Sequence, residues 1–365
     1  MMKWLFTLDY FVLVPALFLC FLSYLFLSSY DPILSQLHLR SIIIGLVLFA
    51  LGSTLCFRDF GKYLLILFIF ALSSLILLFF LGDTRSGATR WFSVGGFGFQ
   101  PSEFVKIAFL LYFSYIFANR FEFTWRFYGY AAILTLLVFG SVALQPDLDN
   151  AVTFVVVFGM FFLYSMKSLR KVSLIALVVF FMFAAMMPVV WENLRGYQKE
   201  RILTFLQPAR DPLGAGYHAS QALITVGSGQ VWGRGLGNGT QFRNNFLPEH
   251  TTDFAFASFA EEFGFAGSTL IILLYLMILS RLIYRISHAQ DRFYEFALFG
   301  VSIFLFMHAF TNIGMNLGLL PVMGITLPFF SFGGSSIISF FVLFGIVQSE
   351  KSAIVGVKNG DITLA

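Results

Sequence analysis

Apolar runs of about 20 residues recur ten times along this chain, and no other feature restricts its fold as strongly. A helix needs roughly 20 mostly apolar residues to cross about 30 Å of hydrocarbon. Lipid offers backbone N–H and C=O groups no partner, so each run must satisfy them within its own helix. The runs fall near residues 10 to 29, 40 to 56, 62 to 81, 102 to 119, 127 to 144, 149 to 165, 172 to 191, 253 to 280, 293 to 316 and 331 to 349. Hydrophobic residues make up 58% of the chain and charged ones 12%, with fifty Phe, which lies outside the usual balance of a soluble domain. The expected fold is all-α and polytopic, with about ten transmembrane helices in one domain spanning residues 1–365. A 61-residue loop, 192–252, precedes the eighth helix. No internal repeat, low-complexity linker or terminal soluble domain is apparent.

The first run follows only Lys3 and lacks a small-x-small cleavage pattern, so it reads as a retained anchor. With the N-terminus inside, thirteen Lys and Arg residues, from Lys3 through Arg58, Arg120, Arg281 and Arg292 to Lys358, fall in inner segments. Arg40, Arg85 and Arg90 fall outside, apart from those in the long loop, which crosses largely regardless of charge. Both termini are therefore expected in the cytoplasm. The net charge of +4 then reflects topology and anionic lipid rather than nucleic acid. Cys20 and Cys56 lie in or at the end of apolar runs, which excludes a disulfide framework and leaves few soft ligands for a metal.

Three Gly-rich or polar segments fall on the expected outer face: 82–102, 192–252 and 317–336. Irregular backbone at membrane depth survives only where protein covers it or it lines a wet cavity, so these segments are expected to build one site. Glu103 and Lys106, three residues apart after Gln100-Pro101-Ser102, share a helix face. A charge at mid-membrane costs about 2.5 to 3.5 kcal/mol, whereas such a pair returns about 0.2 to 0.5 kcal/mol in water. Pairing alone does not explain them, although a structural ion pair is the simpler alternative. Asp253 ends the polar run Leu-Pro-Glu-His-Thr-Thr-Asp just before Phe254-Ala255-Phe256. A carboxylate there could serve the helix dipole, but Thr251 or Thr252 could cap instead, which leaves Asp253 open to general-base work. Glu261 and Glu262 read as polar contacts within the bundle. Arg90 could bind a diphosphate and Trp91 could stack on a sugar or sit in the interfacial belt. The histidines at 218, 250, 288 and 308 show no metal-ligand spacing and read as ordinary polar residues. No Walker pattern, nucleophile elbow or zinc motif is present.

The blocks Gly-Ala-Thr-Arg-Trp, Phe-Gln-Pro-Ser-Glu-Phe-Val-Lys, Gln145-Pro146-Asp147-Leu148, Asp211-Pro212-Leu213-Gly214 and Leu247-Pro248-Glu249 occur in this order. With Thr252-Asp253-Phe254, Asn312-Ile313-Gly314-Met315 and Ser331-Phe332-Gly333-Gly334-Ser335 after them, the chain resembles the SEDS family (shape, elongation, division and sporulation). The resemblance implies a ten-helix peptidoglycan glycosyltransferase that polymerises lipid II, a polyprenyl-diphosphate-linked glycan precursor, outside the cytoplasmic membrane. The elongation branch (RodA) fits better than the division branch (FtsW). The resemblance also implies Asp253 as the catalytic residue and Trp91, Glu103 and Lys106 as cavity residues, and Arg90 and Glu249 complete the expected substrate-binding set. A divalent cation, Mg²⁺ or Mn²⁺, is implied on the diphosphate, and a class B penicillin-binding protein and elongation-complex membrane proteins as partners. Three positions depart from the family pattern: Thr251 where His is usual, Asp149 where Gly is typical, and Phe332 where Tyr is usual. A lipid-precursor flippase and a non-catalytic scaffold are the rival readings.

Overall fold

In a computed structural model, residues 8 to 358 are described, apart from 86–87, 95–96, 121, 146, 208–214, 244–245, 248 and most of 167–195. The helices, in chain order, are α1 (Tyr10–Ser28), α2 (Pro32–Thr54), α3 (Gly61–Leu81), α4 (Pro101–Ala118), α5 (Trp125–Ala143) and α6 (Leu148–Ser165). They continue as α7 (Gly196–Leu206), α8 (Ala215–Ser228), α9 (Thr240–Arg243), α10 (Ala255–Ser287), α11 (Arg292–Asn316) and α12 (Gly334–Lys358). Among the described residues, eight helices are long and apolar enough to cross a membrane, and the apolar part of α12, Gly334–Glu350, is shorter. The chain is an all-α polytopic membrane protein. The run expected at 172 to 191 lies outside the described residues.

Local chemistry explains where the spans differ from the apolar runs. The second starts at Pro32 rather than near 40, because Asp31 Oδ1 accepts from the Ile33 and Leu34 amides at 2.8 and 3.0 Å and proline opens the first turn. Arg40, expected at a span edge, is an exposed residue two turns inside α2. The eighth runs on to Ser287 and carries Arg281 and Arg285 as helical residues. The last begins at Gly334 rather than near 331, since Ser331 and Phe332 belong to a loop bonded elsewhere.

Small residues bring helices together where lipid supplies no hydrophobic drive between them. α2 and α12 pack most extensively against each other, and a Cβ on Gly345 would lie 2.7 Å from the Phe49 carbonyl oxygen. α10 is broken at Gly264, whose φ of 65° and ψ of −162° leave the helical region. The break would expose backbone groups, but residues 230–235 take them up. The Arg234 and Gly235 amides donate to the Glu261 and Glu262 carbonyls, and the Phe265 and Ala266 amides donate to the Gln230 and Val231 carbonyls.

The two ends of the bundle are chemically distinct. At one end Arg58 pairs with Asp291 at 2.7 Å, Arg281 with Asp9 at 2.9 Å and Arg285 with Glu350 at 3.0 Å, while Arg292 donates to the Arg120 carbonyl at 2.8 Å. At the other lies a small antiparallel sheet of β1 (Asp83–Arg85), β2 (Ala88–Val94) and β3 (Phe97–Phe99) in the order β1-β2-β3. Its strand β3 adjoins the start of α12 through the Ser335 hydroxyl, which donates to the Gly98 carbonyl.

Candidate active site

The loop between α11 and α12, residues 317–333, folds back into the bundle and is held by side chains rather than by a ladder. Asn312 Nδ2 donates to the Ile325 carbonyl at 2.7 Å, the Leu327 amide to Ser331 Oγ at 2.9 Å and the Gly324 amide to Asp149 Oδ2 at 2.9 Å. Tyr275 and Ser23 hydroxyls donate to the Pro328 and Phe330 carbonyls. Phe329 takes a left-handed φ of 64°, which costs about 1 to 2 kcal/mol for an L-residue. Its buried ring among Phe340, Phe341 and Phe344 holds it there.

This loop meets the Asp253 turn directly. Ser331 Oγ donates to the Thr252 carbonyl at 2.6 Å and the Phe332 amide to the Thr251 carbonyl at 2.8 Å. The Asp253 carbonyl accepts from Asn312 Nδ2 at 2.9 Å and Asn316 Nδ2 at 3.1 Å. Asp253 is half-buried, two residues ahead of α10. The cap that Thr251 or Thr252 could have supplied is not formed: the Phe254 N-cap makes no side-chain bond, and the Ala257 amide instead donates to Asn316 Oδ1 at 3.2 Å. A Cβ placed on Gly324 would stand 3.7 Å from Asp253 Oδ2 and 4.0 Å from Asp149 Oδ2, so both carboxylates border that glycine.

Lys106 and Glu103 form a buried pair on α4. Lys106 Nζ lies 3.0 Å from each Glu103 carboxylate oxygen and 3.1 Å from His308 Nε2. An ammonium has three donors and no acceptor, so His308 accepts at Nε2 and all three donors are used. Ser339 Oγ donates to Glu103 Oε2. With Lys106 2% and His308 1% exposed, the sequence reading of His308 as an ordinary polar residue is corrected. His308, Asn312 and Asn316 form a polar stripe at i, i+4 and i+8 of apolar α11, one end on Lys106 and the other on Asp253. That spacing was the available signal.

Arg90 sits in a second cluster. Its Nε donates to the Gln145 carbonyl at 3.1 Å and its Nη1 lies 3.6 Å from Asp147 Oδ1. Gln100 Nε2 and Asn150 Nδ2 donate to Asp147 Oδ2 at 3.3 and 3.0 Å. Burial pushes the Asp147 carboxyl above its ordinary value, and the Arg90 charge works against that shift. The cluster joins β2 to the starts of α4 and α6, and Ser335 binds both the Gln100 amide and the Gly98 carbonyl. Trp91 is half-buried beside Arg90. Glu249 is exposed, with a φ of 51°, and accepts the Thr252 hydroxyl at 2.9 Å.

Glu261 and Glu262 make structural polar contacts, but with the long loop rather than within the bundle. Glu261 Oε1 accepts from the Thr240 amide at 2.8 Å and hydroxyl at 2.9 Å, and Glu262 Oε1 accepts from the Gly237 amide at 2.9 Å. They hold the end of the long loop against α10. Among the described residues, no group of three or more His, Cys, Asp or Glu side chains could hold a metal ion. The described donor set does not form a dedicated cage for a divalent cation.

Comparison with known proteins gives one answer. The family description covering FtsW, RodA and SpoVE, a cell cycle protein family, matches residues 2–353. The chain is 36% identical over 325 residues to the peptidoglycan glycosyltransferase MrdB of Escherichia coli K12, covering 88% of this chain and 86% of that one. It is 37% identical over 295 residues to a probable peptidoglycan glycosyltransferase FtsW of Haemophilus influenzae, covering 77% and 71%. Among solved structures, a chain of a peptidoglycan synthase complex that coordinates polymerization and crosslinking superposes with a TM-score of 0.80 at 31% identity, over 94% of this chain and 98% of that one. RodA of Thermus thermophilus superposes with a TM-score of 0.69 at 26% identity, over 94% and 96%. Matched over nearly its whole length, the chain belongs to the FtsW, RodA and SpoVE family of cell cycle proteins, the family its motifs resemble.

Proposed function

We propose that the chain polymerises lipid II into glycan strands during cell elongation, with Asp253 as the general base of an inverting transfer. The reading draws on the likeness to the MrdB glycosyltransferases and on one observation in particular. Asp253 stands half-buried at the meeting of the long loop, α11 and the 317–333 loop, its backbone gripped by two asparagines. A base must be fixed within reach of the proton it removes, and this grip supplies the fixing.

In the transfer, the 4-hydroxyl oxygen of the acceptor sugar attacks the anomeric carbon of a diphosphate-linked donor from the side opposite the diphosphate. The hydroxyl proton passes to the Asp253 carboxylate, and the diphosphate leaves with the electron pair of its C–O bond. Arg90 and Lys106 are the cations assigned to the departing charge. Each is already balanced by a carboxylate, Asp147 and Glu103, so substrate would gain from them by sharing these partners. Glu103 holds Lys106, Trp91 offers an aromatic face to a sugar, and Glu249 stands beside Asp253 through its bond to Thr252.

The end carrying the sheet and the 317–333 loop is assigned to the outer face, with both termini in the cytoplasm. This agrees with the gathering of Arg58, Arg120, Arg281, Arg285 and Arg292 at the opposite end. A class B penicillin-binding protein is the proposed crosslinking partner, supported by the likeness to a chain of a synthase complex, and elongation-complex membrane proteins are the wider assembly. Asp253→Asn tests the reading in a polymerisation assay with purified lipid II. Loss of glycan product from a folded variant is expected. Full activity would overturn the assignment, and lipid II movement across sealed vesicles without polymer would favour a flippase.

A further inference from the structure

Asp149 lies in the first turn of α6, where a carboxylate is favoured by the helix dipole. Its Oδ2 accepts the Gly324 amide at 2.9 Å, a bond between parts of the chain 175 residues apart. Residues 321–327 have no helix or strand of their own, so side chains must fix their backbone. The Met323 amide turns to Met315 Sδ, the Leu327 amide to Ser331 Oγ, and the Ile325 carbonyl to Asn312. Asn312 Nδ2 also donates to the Asp253 carbonyl. One amide therefore couples Ile325 to the Asp253 backbone, Asp149 pins the residue just before Ile325, and the Asp253 side chain faces that same residue.

We propose that Asp149 is a positioning residue for Asp253, acting through Gly324 to hold segment 321–327 as the wall against which the Asp253 carboxylate is aimed. A carboxylate acceptor makes the bond stronger than a neutral one, and it comes from a helix end rather than from the loop itself. Neither carboxylate needs to touch the other. The proposal rests on Asp253 being the base.

The test uses the full chain in nanodiscs, in the complex in which the wild type polymerises lipid II, with Asp149→Ala, Asp149→Ser and Asp149→Asn. Serine keeps a small polar side chain at this half-buried helix start but is too short to reach Gly324, so it keeps the test open if alanine fails to fold. Both are expected to lower kcat about tenfold or more, the scale of a misplaced reacting group, with KM for lipid II within about twofold. Amide exchange should quicken in a peptide covering 321–327 and stay unchanged in α6. Asparagine keeps an oxygen acceptor and should recover most of both. Wild-type kcat in the alanine and serine variants, unchanged exchange at 321–327, or an asparagine variant as defective as alanine would each overturn the proposal. Asp253→Asn is run beside them. Activity there sinks the reading of Asp253 as the base, on which this inference rests, whereas an inactive Asp253→Asn beside fully active Asp149 variants sinks only this inference.

Discussion

Lys106 and Glu103 show what a buried charge demands of its neighbours. Removing one member of such a pair strands the other and costs about 3 to 5 kcal/mol, whereas replacing both is often near neutral. Lys106→Met and Glu103→Gln should each lower the thermal midpoint in detergent, and the double variant should melt above either single one. A double variant that melts lowest of all would mean that the pair is held by something other than mutual charge. His250, in the loop ahead of Asp253, carries an acid sensitivity. Burial holds its pKa below the ordinary value, so the unfolded loop binds the proton more tightly than the folded one. Its stabilising contribution is complete above about pH 6.5 and is lost as pH falls through the depressed folded value. Proteolysis of the 192–252 loop should therefore quicken between pH 7 and pH 5, and His250→Gln should flatten that dependence.

Broken α10 shows how an element can be specified from outside itself. Its Gly264 break is held open by residues 230–235, and Gly233, at φ 79°, comes so close that a Cβ would stand 2.0 Å from the Glu262 carbonyl oxygen. Gly233→Ala should cost about 1 to 3 kcal/mol through overpacking and loosen the loop, seen as faster amide exchange at 229–241. Gly140 in α5 is the contrasting position: a Cβ there meets nothing within 4 Å. Gly140→Ala should raise stability by about 0.5 to 1 kcal/mol through helix propensity, visible as a small rise in thermal midpoint.

For the whole molecule, the charge asymmetry between the two ends predicts its direction in the membrane. Trp232, 82% exposed in the loop beside α10, and exposed Asp59 near the Arg58–Asp291 pair report on opposite faces. In a background lacking Cys20 and Cys56, Trp232→Cys should react with an impermeant maleimide in intact spheroplasts, and Asp59→Cys only after permeabilisation. The reverse pattern would invert the topology.

The apolar runs, their number and their charge flanks determined the class of fold, because lipid leaves the backbone one solution and that solution depends only on local sequence. Asp253, Glu103 and Lys106 were also legible, since an ionisable group among apolar residues carries a cost that invites explanation. Other features depended on distant partners. Asn312 entered the sequence reading only as part of a motif and Asn316 not at all, until α11 aligns both on the Asp253 carbonyl, and His308 read as one more histidine until Lys106 lies against it. Asp149 stood out in the sequence as a departure without a role. Only the fold brings it to Gly324, because the bond that gives it meaning joins a helix end to a loop that has no regular backbone pairing of its own.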